Sequence, residues 1–233
     1  MPIEDFLIQE LKQVEVLATL TDWGLTPSAT EQARTGRIPE GFCYALSLDW
    51  CRIKLEGSKA KPAERFSQLT SGDHLAQLLD LQRLFFEPNL KVLDHDTGAA
   101  RALDHTEDSG IPERTRRAAA MMGLVSVNNV QIPWRHQAVV RVYENIRKFP
   151  KHGVLIIIAY TDSTAHAVAC YMSHWTPLSS SHLYGFDPNH GELKCEFKKD
   201  GMELLEHLIT NLETPNSRVA SVQLEILQPA QKK

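Results

Sequence analysis

The hydrophobic pattern of this chain changes character at Gly123, and no other feature constrains its fold as strongly. Before that glycine, apolar residues recur at helical spacing over 43–55, over 74–86 and from Pro112 to Met122. After it, strand-like patterns occur at 124–132, 154–160, 165–172, 182–187 and 219–227, with helical patterns at 135–148 and 201–213. Helices followed by antiparallel strands indicate an α+β fold with a helical lobe and a sheet lobe.

This order predicts one domain over residues 1–233. We expect residues 1–122 to be mainly helical and residues 123–233 to be mainly sheet. A length of 233 residues fits a single domain of ordinary size. The cleft between the two lobes is where a functional site is expected.

Three other segments have patterns of their own. Residues 3–20 place apolar side chains at helical spacing and so predict one helix; these are Ile3, Leu7, Leu11, Val14 and Leu17. Residues 56–66 are polar and contain proline, which favours a loop. In 219–227, apolar residues alternate with Gln223 and Glu225, which predicts a strand with one face in water.

The charge balance argues against a nucleic-acid partner. The formal net charge is −4, whereas general nucleic-acid binders usually carry a basic excess. The N-terminal segment from Met1 to Leu20 has neither the basic region nor the apolar stretch of a signal peptide. The longest apolar run, Val154 to Tyr160, is too short to cross a bilayer. We therefore expect a soluble protein without an integral membrane segment.

One of the four cysteines is favourably placed for chemistry. Cys43 stands in GFCYALSLDW, behind a Pro-Glu-Gly turn and at the start of a predicted helix. The unpaired N–H groups and the dipole at a helix start favour a thiolate, and the same N–H groups can stabilise an oxyanion. The alternative is a small buried core residue. Cys51, Cys170 and Cys195 lack these advantages, and the cysteine spacings fit neither a disulfide framework nor a zinc site.

His166 is the candidate base among ten histidines. It stands in DSTAHAVACY at the start of a predicted strand, where a rigid backbone can position a general base. The small neighbours Ala165 and Ala167 leave room around the ring.

Asp187 is the candidate orienter of that histidine. It lies in LYGFDPNHGE at the end of the next predicted strand. If 165–172 and 182–187 form a hairpin, the position opposite His166 is 188 or 189, and Asp187 lies within hydrogen-bonding reach of the ring. Asn189 is a second candidate, since an amide can also hold a histidine tautomer. The segment can also be an ordinary turn.

The segments GFCYALSLDW, STAHAVACY and YGFDPNHGE resemble the three catalytic blocks of the YopT/AvrPphB family of bacterial effector cysteine proteases. The resemblance assigns Cys43, His166 and Asp187 to the family triad; it also matches Trp50 to the helix tryptophan and Asn189 and Gly191 to the turn. It implies a papain-like fold in which the helical lobe carries the nucleophile and packs on an antiparallel sheet lobe. Papain-like enzymes add an amide side chain as oxyanion donor beside the cysteine backbone, and Gln32 is the nearby candidate.

The resemblance implies a protease that cleaves a protein substrate. Such an effector would be secreted by a specialised system into a target cell, and a secretion chaperone or an immunity protein would be a compatible partner. A glutamine or asparagine deamidase or transglutaminase is the alternative on the same fold, and a binding module with an inactive triad is a third reading.

No cofactor or metal is expected. The carboxylates and imidazoles of Asp94, His95, Asp96, Asp104 and His105 are ligand types, but they lack regular ligand spacing and suit an acidic loop. Nucleotide-binding and HExxH patterns do not occur in the sequence.

Overall fold

One antiparallel sheet with helices on both faces organises the chain. The computed structural model describes residues 2–22, 42–57, 59–86, 110–162, 164–174 and 181–230. The strands are β1 (Leu7–Glu10), β2 (Leu124–Pro133), β3 (Gly153–Tyr160), β4 (Ala165–Met172), β5 (His182–Asp187), β6 (Gly191–Glu196) and β7 (Val219–Pro229). The helices are α1 (Gln13–Asp22), α2 (Cys43–Glu56), α3 (Pro62–Leu69), α4 (Gly72–Phe86), α5 (Gly110–Met121), α6 (Ala138–Lys148) and α7 (Phe197–Thr210), and a short 3-10 helix spans Ile3–Phe6.

The seven strands lie in the order β1-β6-β5-β4-β3-β7-β2, and every neighbouring pair is antiparallel. Side chains alternate between the two faces of the central strands and so contribute to two cores. One core lies between the sheet and helices α2 to α5, and the other between the sheet and helices α6 and α7. Strands β4 and β5, which carry His166 and Asp187, are therefore supported from both sides.

Helix α2 is buried against the sheet along most of its length. Every residue from Cys43 to Cys51 is buried, including the charged Asp49. The Trp50 ring stacks on Phe186 of β5 with 5.6 Å between centroids. The Ser47 hydroxyl donates to the carbonyl oxygen of Ala167 in β4 at 2.9 Å. These contacts fix the helix that begins with Cys43 to the strand that carries His166.

A buried ionic cluster joins the helices to β6. The carboxylate of Glu192 accepts hydrogen bonds from Arg65 Nε and Nη2 at 2.9 and 2.5 Å, from Trp50 Nε1 at 3.1 Å and from Lys54 Nζ at 3.4 Å. Burial lowers the pKa of Lys54 to about 8, although Glu192 opposes the shift. Its ammonium lies 3.5 Å from the ring centroid of Tyr184. Removing one partner of such a cluster leaves an unpaired buried charge, which is strongly destabilising.

The prediction of one helix over 3–20 is wrong. Residues 7–10 form strand β1, which pairs with β6 through Leu7 opposite Leu193 and Glu10 opposite Gly191. Without β1, the outer edge of β6 would have unpaired backbone groups, and this pairing satisfies them. Gly191 permits the approach: its φ is +118°, and a Cβ there would lie 2.0 Å from the carbonyl oxygen of Gln9.

Two further expectations are corrected. The supposed loop at 56–66 contains the start of α3, because Pro62 suits the first turn of a helix. The supposed wet face of β7 is buried: Glu225 is inaccessible to solvent and accepts hydrogen bonds from the side chains of Ser126 and Asn129 on β2. Alternating polar residues in a strand therefore indicate a solvent-exposed face only where no neighbouring strand supplies hydrogen-bond donors to them.

Strand β6 was not expected at all, since its sequence reads as a polar segment. None of the helices in the described part of the chain is long and apolar enough to cross a membrane.

Candidate active site

The thiol of Cys43 lies at the N-terminal end of α2. It is the first residue of the helix and only 5% exposed. The first N–H groups of an α-helix have no acceptor inside the helix, so they and the dipole favour an anion at this end. Two side chains bind neighbouring N–H groups: Gln13 Oε1 accepts from Phe42 at 3.0 Å, and Gln82 Oε1 accepts from Ala45 at 2.9 Å.

His166 connects the thiol to a carboxylate. It is the second residue of β4 and 4% exposed, and its Nε2 lies 3.0 Å from Asp187 Oδ1. The Cys43 side chain lies close enough to the ring to raise the pKa of His166. Because Nε2 is engaged by Asp187, Nδ1 is the ring nitrogen available to the thiol.

The electrostatics of this pair favour a charged imidazole. Burial opposes the imidazolium, but the hydrogen bond to Asp187 and the interaction with the Cys43 side chain outweigh burial and raise the pKa of His166 to about 10. The imidazolium is therefore the dominant form at neutral pH.

Asp187 is fully buried at the end of β5 and accepts four hydrogen bonds. Oδ1 accepts from His166 Nε2 at 3.0 Å and from the Asn189 backbone N–H at 2.9 Å. Oδ2 accepts from His190 Nδ1 at 3.0 Å and from the Asn211 amide. Burial alone would raise the pKa of Asp187, yet these donors hold it well below its usual range. The carboxylate is thus ionised and cannot rotate freely.

The structure places the two candidate orienters differently. The carboxylate of Asp187 contacts the His166 ring, whereas Asn189 bonds to Asp187 through its backbone and directs its Oδ1 to Gln13 Nε2 at 2.5 Å. The ladder between β4 and β5 runs from Met172 opposite Leu183 to Ala169 opposite Phe186, so His166 and Asp187 lie beyond its last pair at the same end of the two strands. The hairpin geometry expected from the sequence is confirmed.

Three residues of the site escaped the sequence reasoning. His190 lies in the same DPNHG turn as Asp187. Its ring is partly buried and donates from Nδ1 to the Asp187 carboxylate. The hydrogen bond to Asp187 raises the pKa of His190. Asn211 follows α7, and Gln13 begins α1. Proximity within the DPNHG segment could have suggested His190, but no local pattern marks Asn211 or Gln13.

The other cysteines lie in the core. Cys51, Cys170 and Cys195 are buried, and burial raises the thiol pKa of each, to about 12 for Cys195. All four cysteines are free thiols. Gln32 lies outside the described residues, as does the acidic stretch from Asp94 to Asp108. Among the residues that the structure describes, no group of three or more His, Cys, Asp or Glu side chains is arranged to hold a metal ion.

Two comparisons with known proteins identify the family and the fold. The family model Peptidase_C58, described as Yersinia/Haemophilus virulence surface antigen, matches residues 18–228. The match covers most of the chain and includes every residue of the Cys43, His166 and Asp187 set. A comparison with curated proteins gave no match.

The fold is similar to a solved structure of the avirulence protein AvrPphB from Pseudomonas. The two have a TM-score of 0.62 and are 17% identical, and the alignment covers 80% of this chain and 91% of that chain. The likeness confirms the expected papain-like α+β fold.

Proposed function

Because this chain belongs to the peptidase C58 family of cysteine proteases, we propose that Cys43, His166 and Asp187 are its catalytic triad and that its substrate is a protein. The observation that carries the proposal is the His166 ring, which is hydrogen-bonded to the Asp187 carboxylate at 3.0 Å and lies beside the Cys43 side chain at the start of α2. A base held between a nucleophile and an orienter supports covalent catalysis.

Acylation begins when the Cys43 thiolate attacks the carbonyl carbon of the scissile peptide and forms a C–S bond. The carbonyl electron pair moves to oxygen, and the backbone N–H of Cys43 at the helix start is the donor we assign to the oxyanion. As the C–N bond breaks, the His166 imidazolium gives its Nδ1 proton to the leaving amine. The products of this half are a free amine and a thioester on Cys43.

Deacylation reverses the proton path. Neutral His166 takes a proton from water, whose oxygen attacks the thioester carbonyl, and the C–S bond then breaks to release a carboxylic acid and the thiolate. Asp187 keeps the Nε2–H tautomer and stabilises the imidazolium in both halves. Its four hydrogen bonds keep it in place while the ring changes charge.

We infer that the protein acts as a bacterial virulence effector after secretion into the cytoplasm of a target cell. The family description, which names virulence antigens, supports this role. The four free cysteines suit a reducing compartment, where disulfides do not persist.

The test is a search for new protein N-termini. Lysates of candidate target cells are incubated with the wild type, with Cys43→Ala and with Cys195→Ala, and N-termini are mapped by mass spectrometry. We expect new N-termini with the wild type and with Cys195→Ala, and none with Cys43→Ala.

Other outcomes would contradict the proposal. A gain of about 1 Da on intact proteins, dependent on Cys43, would assign a deamidase, because hydrolysis of a side-chain amide releases ammonia instead of a peptide amine. Unaltered proteins in every lysate would favour a binding role.

A further inference from the structure

We propose that Gln13 is a positioning residue of the active site, which holds the nucleophile end of α2 against the turn that follows Asp187. The inference rests on the proposed triad. Gln13 is remote in sequence from every residue of that triad and begins α1, directly after the segment that contains β1. Its backbone and its side chain both bind groups beside the site.

The side-chain amide forms a bridge between two parts of the site. Its Oε1 accepts from the backbone N–H of Phe42 at 3.0 Å, and its Nε2 donates to Asn189 Oδ1 at 2.5 Å. The backbone N–H of Phe42 can only donate, so the amide oxygen must face it and the nitrogen must face Asn189. The orientation of the amide is therefore fixed by its partners.

The backbone of Gln13 is held to the same turn. Its N–H donates to the carbonyl oxygen of Pro188 at 2.7 Å, and the N–H of Leu11 donates to the carbonyl oxygen of His190 at 3.1 Å. Strand β1 continues this contact by pairing with β6. The base of the bridge is thus attached to the sheet, and only the side chain reaches across to Phe42.

The Phe42 end of the bridge controls the oxyanion donor. Phe42 immediately precedes Cys43, has non-helical torsions of φ −112° and ψ 13°, and sets the direction of the Cys43 N–H. Anchoring the Phe42 N–H limits rotation about this residue. An oxyanion donor must be aligned within roughly 10–20° of its productive direction.

The Asn189 end of the bridge reaches the orienter. The backbone N–H of Asn189 donates to the Asp187 oxygen that also contacts His166. One amide thus fixes the distance between the helix that carries the thiol and the turn that supports the Asp–His pair. Such a bridge positions both halves of the site without touching the reacting atoms.

Two reactions of Cys43 separate positioning from a purely structural role. Acylation by p-nitrophenyl acetate forms an oxyanion and releases p-nitrophenolate, whereas alkylation by iodoacetamide displaces iodide and forms no oxyanion. The isosteric variant Gln13→Met removes both hydrogen bonds. Gln9→Met, on the neighbouring strand β1, is the matched control, because the Gln9 side chain bonds only weakly to the exposed carbonyl oxygen of Glu10 at 3.5 Å.

We expect Gln13→Met to acylate about 10-fold more slowly or worse, in line with the effect of small misplacements at reacting centres. Its alkylation rate should stay within about twofold of wild type, because His166 and the helix start remain beside Cys43. Gln9→Met should match the wild type in both reactions. Gln13→Glu, which keeps the acceptor for Phe42, should fold and retain more acylation than Gln13→Met.

Unchanged acylation in a folded Gln13→Met would overturn the inference. So would a parallel fall of acylation and alkylation with a lowered melting temperature, which indicates structural support alone. Both results leave the triad intact, whereas failure of wild-type Cys43 to acylate would contradict the proposed function itself. If Gln13→Met does not fold, Asn189→Ala decides, since it interrupts the Asn189 end of the bridge: slower acylation with unchanged alkylation would support the inference, and unchanged acylation would overturn it.

Discussion

The His166 ring and the Asp187 carboxylate are hydrogen-bonded at 3.0 Å although 21 positions separate them in the chain. They meet because β4 and β5 are antiparallel neighbours and the start of β4 lies beside the end of β5. Asp187 is held in turn by His190 and Asn211, which come from a turn and from the end of a helix. The orientation of the His166 ring is therefore set by two neighbouring strands of the sheet.

Cys43 should be the first cysteine to react with a limiting amount of iodoacetamide. It lies beside His166 at a helix start, while burial raises the thiol pKa of Cys51, Cys170 and Cys195. Peptide mapping of the folded protein measures the order of labelling. Equal labelling of all four cysteines would remove the basis for choosing Cys43.

Asp187→Asn should lower turnover by about 10²-fold or more with little change in KM, because a neutral amide no longer stabilises the imidazolium. Asn189→Ala should cost less, since Asn189 supports the carboxylate through its backbone N–H, which remains. Steady-state kinetics and melting curves of both variants measure this. An inactive but folded Asn189→Ala beside an active Asp187→Asn would assign the orienting role to the amide.

The free energy of unfolding should fall as the pH rises from neutral. The folded-state pKa of His166 is raised from 6.5 to about 10, so its contribution is complete below pH 6.5 and is lost as the pH approaches 10. The pKa of Asp187 is lowered from 3.8, so its contribution is complete above that value and is lost at more acid pH.

Urea unfolding at pH values of about 5, 7 and 9 tests this dependence. The wild type should lose stability between the second and third conditions, and Asp187→Asn should lose less, because its histidine lacks the anionic partner. Identical pH dependence in the two proteins would contradict the assigned coupling.

Glu192→Gln should destabilise the fold by about 3 kcal/mol or more, because Arg65 and Lys54 would remain buried without a full counter-charge. Glu196→Gln is the matched control, being an exposed residue of the same strand. Denaturant midpoints of both variants give the comparison. Equal midpoints would mean that the buried cluster contributes nothing measurable.

Gly191→Ala should release β1 from the sheet. Its φ of +118° disfavours any side chain, and the new Cβ would collide with the Gln9 carbonyl oxygen. Gly123→Ala is the control: φ is +68° there too, but nothing lies within 4 Å of the new Cβ, so only backbone strain of about 1–3 kcal/mol is added. Hydrogen exchange over residues 7–10 should accelerate in Gly191→Ala alone.

Most helices and strands could be predicted from the sequence where the hydrophobic pattern of a single segment was sufficient to identify the element. The run 154–160 and the ends of β4 and β5 carried such a pattern, and with them came the positions of His166 and Asp187. Strand β1 did not, because its apolar spacing also fits a helix and only pairing with β6 decides the outcome. The burial of Glu225 could not be predicted for the same reason. The alternation of polar and apolar residues in β7 does not reveal that Ser126 and Asn129 of β2 donate hydrogen bonds to it.

The residues that support the site could not be predicted from local sequence patterns either, because their partners are distant in the chain. Gln13 and Asn189 are 176 positions apart, and an isolated glutamine in a helix carries no sign of a distant partner. Asn211 likewise meets Asp187 only through the packing of α7 on the sheet. Residues that act by holding others are recognised from contacts, and contacts exist only in the folded chain.

The pairing of β1 with β6 also determines when the folded site can form during synthesis of the chain. Residues 7–10 are synthesised long before the turn at 188–190 and can pair only after it has emerged, so the pairing has a high contact order and forms late. Until that turn emerges, the nascent chain has neither the Asp187 carboxylate nor the Gln13 bridge. Unfinished chains therefore lack the complete site.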